Sequence, residues 1–317
     1  MRSPHFQTLF RALAALSLFG LAGCDLMNGS APSQSVAPNL SDAAPTMPPS
    51  AQSLALSAYY TRVQTALLGQ GLLRTDGGSR DAPFSDRILA QNFIRIAAFD
   101  EYASTASGPV QSETVSTIRR WTTPVRIGLR FGASVTPALR TADTARVAAL
   151  VAQLARATRH PIRIDNANPN FIVTIVNEDE RKAIGPAASA ALPGLTGPDL
   201  AGITNMPRST YCLVYAQSDA ANSTYTRAFA VIRAEHPDLL RLSCLHEEIA
   251  QGLGLANDSP QARPSIFNDN EEFALLTPQD ELMLRILYDA RLSPGMTADQ
   301  ARPIVETLAT QFLGGES

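Results

Sequence analysis

Two stretches near the start of the chain repeat apolar side chains every three and four residues. Ser53 to Leu73 does so through Leu67, Leu68 and Leu72, and Asp86 to Tyr102 through Ile88, Phe93, Ile94 and Ala97, so both predict amphipathic helices. The turn Thr75-Asp-Gly-Gly-Ser79 separates them. A polar stretch of Ser, Thr and Gly over 103–117 then leads into a different pattern. From Trp121 onward the spacing alternates between the strand and the helix period. Strands are expected at Pro124–Phe131, Pro161–Ile164, Phe171–Val176, Tyr211–Ala216 and Thr226–Arg233. A helix over Thr141–Thr158 gathers Val147, Leu150, Val151 and Leu154 on one face, and a long Gly/Pro/Ala loop is expected over 184–207. Helices follow at Pro237–Leu253, Thr277–Tyr288 and Thr297–Leu313, the second of them capped by Thr277 with Asp280 at its third position. This order implies an α+β protein. Its mixed sheet has a backing helix and a second helix beneath, with two helices ahead and two behind.

The first fifty residues follow no such period. Arg2 and Arg11 give a positive start, and Ala12 to Ala22 is an apolar run that ends in small residues, the three parts of an export signal. At about eleven residues the run is too short to span a bilayer as a helix, which takes about twenty. Its last four residues, Leu21-Ala22-Gly23-Cys24, resemble the lipobox that the lipoprotein peptidase reads. The resemblance implies cleavage before Cys24, lipid on that cysteine, and a protein held on a membrane and facing the periplasm. Asp25 resembles the inner-membrane retention signal of some enterobacteria, and the choice between inner and outer membrane stays open. Residues 26 to about 52 are mainly Ser, Pro, Ala and Asn, too poor in large apolar groups to offset their ordering entropy. They read as a tether of roughly 25 residues with a reach of about 25–30 Å. The expected organisation is a signal peptide over 1–23, anchor and tether over 24–52, an N-terminal helical segment over 53–118, and a sheet-bearing domain with C-terminal helices over 119–317.

Composition narrows the partners. A net charge of −3 with both signs interspersed argues against a nucleic-acid surface. Besides Cys24 the chain holds only Cys212 and Cys244. In an oxidising compartment these two are expected to form one disulfide, the alternative being two buried thiols.

The chemistry-bearing stretch is Leu245-His-Glu-Glu-Ile-Ala-Gln-Gly-Leu-Gly-Leu-Ala-Asn-Asp258. Read from His246 as HExxH, the pattern fails, because the second histidine would fall on Ala250. One residue later, Glu247-Glu248-x-x-Gln251-x-x-Gly254-x-x-Asn257-Asp258 overlays HExxHxxGxxHD, the zinc motif of the metzincins. Glu248 keeps the general-base position, and Gly254 and Asp258 are retained. Glu247, Gln251 and Asn257 replace the three histidines. Helix geometry favours this frame independently: at about 100° per residue Glu247, Gln251 and Gly254 share one stripe, while Leu242, Leu245, Ile249 and Leu253 lie opposite. That stripe is expected to point away from the core, with His246 beside the core as a structural histidine. Its bland alternative is a solvated helix face ended by Gly254, with Asn257-Asp258 closing a turn.

The strand and helix order before this helix resembles the upper half of a metzincin catalytic domain. Pro264-Ser-Ile-Phe267 stands where such proteins make their methionine turn, and Leu276–Asp280 with Ile286–Tyr288 is similar to their final helix. The chain also resembles an uncharacterised family of proteobacterial lipoproteins that carries the Glu-Glu-x-x-Gln-x-Leu-Gly-Leu-x-Asn-Asp signature, over roughly residues 85–310. These resemblances imply a zincin-like domain over 119–317. They imply a binding site at Glu247, Gln251, Asn257 and Asp258, with Glu248 as a vestigial base. Zinc proteases need imidazole ligands, and one carboxylate with two amides holds zinc poorly, so no zinc or other cofactor is expected. The expected function is to bind a peptide, a cell-wall component or a partner protein without cleaving it. Two alternatives stand beside it: a hydrolase using a non-histidine metal or carboxylate site, and a purely structural envelope protein.

Overall fold

A computed structural model describes residues 48–105 and 108–314. The signal peptide, Cys24 and most of the tether lie outside the described residues. The first helix, α1 (Ala51–Gly69), starts at Ser50, whose hydroxyl accepts from the Ser53 N–H. Helix α2 (Asp86–Ala97) is capped in the same way by Ser85. It stops short of the helix expected to Tyr102. The chain turns instead into a hairpin of β1 (Phe99–Thr105) and β2 (Gly108–Val115), paired antiparallel from Phe99↔Val115 to Thr105↔Gly108. The polar stretch over 103–117 thus falls largely within an unexpected hairpin.

The main sheet contains β3 (Val125–Phe131), β4 (Ile162–Ile164), β5 (Phe171–Val176), β6 (Cys212–Ser218) and β7 (Tyr225–Arg233), in the order β4-β3-β5-β7-β6. All neighbours are parallel except the edge strand β6, which runs antiparallel to β7. The sheet is therefore mixed and mostly parallel, and the class is α+β. Alternate residues of the central strands serve two cores, as the strand period requires. Phe171, Val173 and Ile175 of β5 and Ala230 and Ile232 of β7 join one core with Val147, Leu150 and Leu154 of α3 (Pro137–Thr158) and Leu245, Ile249 and Leu253 of α7 (Asp238–Gln251).

Phe229, Val231 and Val176 face the other way, into a smaller core with Ile184, Ala188, Leu192 and Ile203. Those last residues lie in the segment expected to be a long loop. It forms α5 (Gly185–Ala191) and α6 (Gly197–Thr204), preceded by the single turn α4 (Glu178–Lys182). Pro186 and Pro198 stand in the first turns of α5 and α6, where a missing N–H costs nothing, and Thr196 and Asp199 close a capping box on α6. Two helices complete the chain. Thr277 and Asp280 cap α8 (Pro278–Leu287), and Thr297 and Gln300 cap α9 (Ala298–Leu313). Among the described residues no helix is long and apolar enough to cross a membrane.

Cys212 of β6 and Cys244 of α7 are bonded, with a Cα–Cα distance of 5.9 Å. Helix α7 is tied to α3 as well: buried Arg241 donates to Asp143 at 2.9 Å, to the His236 carbonyl at 2.5 Å and to Asp238 at 2.6 Å. These ties fix the helix that carries the motif.

Candidate functional site

The C-terminal end of α7 is clamped by groups distant in sequence. Trp121 Nε1 donates to the Gly252 carbonyl at 2.8 Å, and the Tyr288 hydroxyl to the Leu253 carbonyl at 2.9 Å. Gly254 then turns the chain at φ +124°, in the region that favours glycine, and a Cβ there would stand 2.3 Å from the Arg119 carbonyl oxygen. The motif glycine is therefore required by backbone packing. His246 is buried beside the core. Its Nδ1 accepts the Leu276 N–H at 3.3 Å, and burial pushes its pKa down to about 4.

The polar stripe is not a solvated face. Glu248 and Gln251 are buried, at 4% and 7% exposure, Asn257 is fully covered, and Glu247 and Asp258 are half-buried. The stripe does point away from the main core, as its helical phase implies, but other parts of the chain cover it. Two of the three residues at histidine positions are occupied internally. Gln251 Nε2 donates to Asp258 Oδ1 at 3.1 Å. Asn257 Nδ2 donates to the Arg95 carbonyl at 2.9 Å and to Glu113 Oε2 on β2 at 3.3 Å, while the Asn257 N–H reaches the Ile96 carbonyl at 3.1 Å. Asn257 thus staples the turn to the end of α2 and to the hairpin. We expect Asn257→Ala to lower stability by about 1–2 kcal/mol, since it strands a buried carbonyl. The urea midpoint should fall at unchanged m-value, with amide protection lost first at Asn257 and its neighbours.

Around this stripe the fold brings together more carboxylates than the motif contains. Glu101 of β1 acts on Glu247, Glu248 and Asp258, Glu271 on Glu247 and Asp258, and Asp269 on Asp258, Glu101 and Glu271. Sequence reasoning misses Glu101, Asp269 and Glu271. The helical spacing places the first at a helix end. The others lie in the acidic run Asp269-Asn-Glu-Glu272 just after the motif, a signal that could have found them.

The electrostatic result is one-sided. Burial, reinforced by Asp258 and Glu271, pushes the Glu247 carboxyl well above the usual range. Burial with Glu101 and Asp258 does the same to Glu248, and burial with Glu101 and Asp269 to Asp258, despite the hydrogen bond from Gln251. Glu101 and Glu271 are each raised to about 7, chiefly by burial. One Glu248 oxygen, Oε2, is buried with no hydrogen-bond partner. Tyr102, 40% exposed, borders the cluster. Burial raises its phenol first, then the charges of Glu101, Glu248 and Asp258.

The donor set does not fit zinc. At the three motif positions stand a carboxyl that favours its proton and two amides committed to hydrogen bonds, where zinc takes neutral imidazoles or thiolates. Among the described residues, no three His, Cys, Asp or Glu side chains are arranged to hold a metal ion.

Fold and site together define a class: an α+β domain with a mostly parallel five-stranded sheet and a carboxylate cluster gathered around buried Glu248 at the end of one helix. The chain belongs to the family described as Protein of unknown function (DUF2927), whose model matches residues 86–307 and so includes every carboxylate of the cluster. No curated protein and no solved structure gives a match to the chain.

Proposed function

We propose that this protein is a lipoprotein of the bacterial envelope, held by lipid on Cys24 and facing the periplasm, whose zincin-like domain binds a peptide, cell-wall component or partner protein without cleaving it. The anchor rests on the export signal and the Leu-Ala-Gly-Cys24 sequence. The zincin-like reading is supported by a mixed sheet with one antiparallel edge strand, a backing helix and a motif helix that ends at a required glycine. One observation carries the binding reading. Gln251 and Asn257, at two histidine positions, spend their amides on holding the turn, while Glu248 at the base position keeps an unpartnered oxygen. A general base needs an activated water, and this donor set has no means to supply one by the zinc route.

A second reading, hydrolysis by carboxylates alone, draws on the raised pKa values of Glu248 and Asp258, since a carboxyl that holds its proton near neutrality can act as a general acid. One experiment separates the two. We expect the full chain, purified in neutral detergent, to contain substoichiometric zinc and to leave casein and a peptide library intact. Stoichiometric zinc with cleavage abolished in Glu248→Gln would overturn the binding reading, and zinc-independent cleavage abolished by the same change would select the second. The anchor has its own check: palmitate labelling in cells, expected for the wild type and lost in Cys24→Ser.

A further inference from the structure

Resting on the binding reading, we propose that the carboxylate cluster of Glu101, Glu247, Glu248, Asp258, Asp269 and Glu271 recognises the ammonium or guanidinium group of a lysine or arginine side chain in a peptide ligand. The cluster draws on four separate parts of the chain: α7, the turn after Gly254, strand β1, and the loop before α8. Among the described residues, none of Glu247, Glu248, Asp258, Asp269 and Glu271 is in a salt bridge. Three other carboxylates of low exposure are in ion pairs. Asp143 pairs with Arg241, Glu178 with Arg181 and Arg233, and Glu272 with Arg74 and Arg263. Two further buried acids are matched without arginine: Asp280 accepts from Ser265, Thr277 and the Ile266 N–H, and Glu235 accepts from Ser53 and the Glu178 N–H through Oε1 while its Oε2 has no donor.

A second, independent observation points into the same place. Glu248 is more than nine-tenths buried, its Oε2 has no donor, and both charges acting on it are negative, those of Glu101 and Asp258. A buried acceptor without a donor is destabilising, the more so when charged, and an incoming N–H cation removes that cost. The surroundings suit an organic cation better than a metal ion. Among the described residues no three His, Cys, Asp or Glu side chains are arranged to hold one ion, which needs its oxygens within about 2.0–2.6 Å. An ammonium or guanidinium group reaches dispersed acceptors through several N–H bonds.

Proton linkage gives the inference a signature that surface attraction lacks. With the free site holding protons above the usual carboxylate range, a bound cation must displace them, so affinity rises with pH. The test is calorimetric titration of the full chain in neutral detergent with N-acetyl-trilysine amide, beside the trialanine and triglutamate analogues and CaCl₂. The expected result is one trilysine bound per chain, with proton release and a Kd that tightens about tenfold per pH unit for each proton released. The Glu248→Gln/Asp258→Asn double variant should bind at least tenfold more weakly, with a flattened pH profile. Glu306→Gln, which removes an exposed carboxylate of α9, should bind as the wild type does. Retained melting temperature in the double variant excludes misfolding as the cause. Equal binding of trialanine or triglutamate overturns the cation inference and leaves the binding reading standing. The same holds if Ca²⁺ binds and trilysine does not, or if the double variant binds trilysine unchanged. Cleavage of any of the peptides overturns the binding reading itself.

Discussion

Glu178→Ala is expected to cost about 3–5 kcal/mol, the range for leaving a buried counter-charge without its partner. Glu178 Oε2 accepts from Arg181 Nη2 at 2.7 Å and from Arg233 Nη1 at 2.9 Å, and both guanidinium groups are 1% exposed. Each arginine also donates to backbone carbonyls. Arg181 reaches Ile203 at 2.6 Å, and Arg233 reaches Met206 at 2.8 Å and Pro207 at 2.9 Å. Glu178 thus joins the end of β7, the turn α4 and the end of α6, and its other oxygen holds Gln52 of α1 at 3.1 Å. Without it two positive charges sit adjacent in a region with little water. For a domain of this size each kcal/mol lowers Tm by about 2–4 °C, so the loss should be plain in a thermal melt. The contrasting control is Asp76→Ala, which removes an exposed partner of Arg74 and should leave the thermal melt close to that of the wild type.

The pH dependence of that loss has a definite sign. Burial alone would raise the Glu178 carboxyl, but the hydrogen bonds and charges of Arg181 and Arg233 together bring it below the usual range. A carboxyl held low in the folded state contributes stability above its unfolded value of about 4.3, and that stability is lost as pH falls through the lower folded value. The penalty of Glu178→Ala should accordingly shrink in acid.

The parts of this fold that could be read from sequence are those where one local pattern fixes one environment. Strand β5 reads Phe-Ile-Val-Thr-Ile-Val because two cores claim its opposite faces, and the stripe Leu245, Ile249 and Leu253 marked the core side of α7 correctly. A helical wheel, however, shows only which side of a helix meets apolar neighbours. It carries no information about what covers the remaining side. Here Glu101 approaches Glu248 across almost half the chain, so the same stripe that suggested solvent is closed over by carboxylates. The hairpin went unread for a related reason. Phe99 and Tyr102 continue the three-and-four spacing of α2, and its end at Ala98 carries no glycine or proline to mark it. On the hairpin itself the apolar Val115 is 81% exposed, so it marks no core position. Helices α5 and α6 announced themselves only by prolines at their starts and by the Thr196/Asp199 cap, signals easily outweighed by Gly and Pro content.

Glu248→Gln should stabilise the protein at neutral and alkaline pH, and the gain should vanish in acid. The Glu248 carboxyl is raised well above its usual range by burial first and by Glu101 and Asp258 next. A carboxyl raised on folding contributes its full stability below the unfolded pKa of about 4.3 and loses it as pH rises through the folded value. The Glu248 contribution to wild-type stability therefore declines upward from about pH 4.3. Glu101 and Glu271, raised to about 7, add to the same decline over the window between about 4.3 and 7. A glutamine at 248 has no proton to lose, and its amide can donate to the carboxylates that now repel it. The expected gain at pH 8 is about 1–3 kcal/mol, the cost of an unsatisfied buried acceptor, falling toward zero near pH 4. Urea denaturation of both proteins across this range measures it. A variant that is less stable than wild type at pH 8, or a difference that does not change with pH, would remove the basis for treating Glu248 as an unpaired buried charge. If the gain appears while trilysine affinity falls, the two results together assign the cost of the buried Glu248 carboxylate to binding: the fold gives up stability to hold an oxygen without a donor, as sites built for a ligand of opposite charge do.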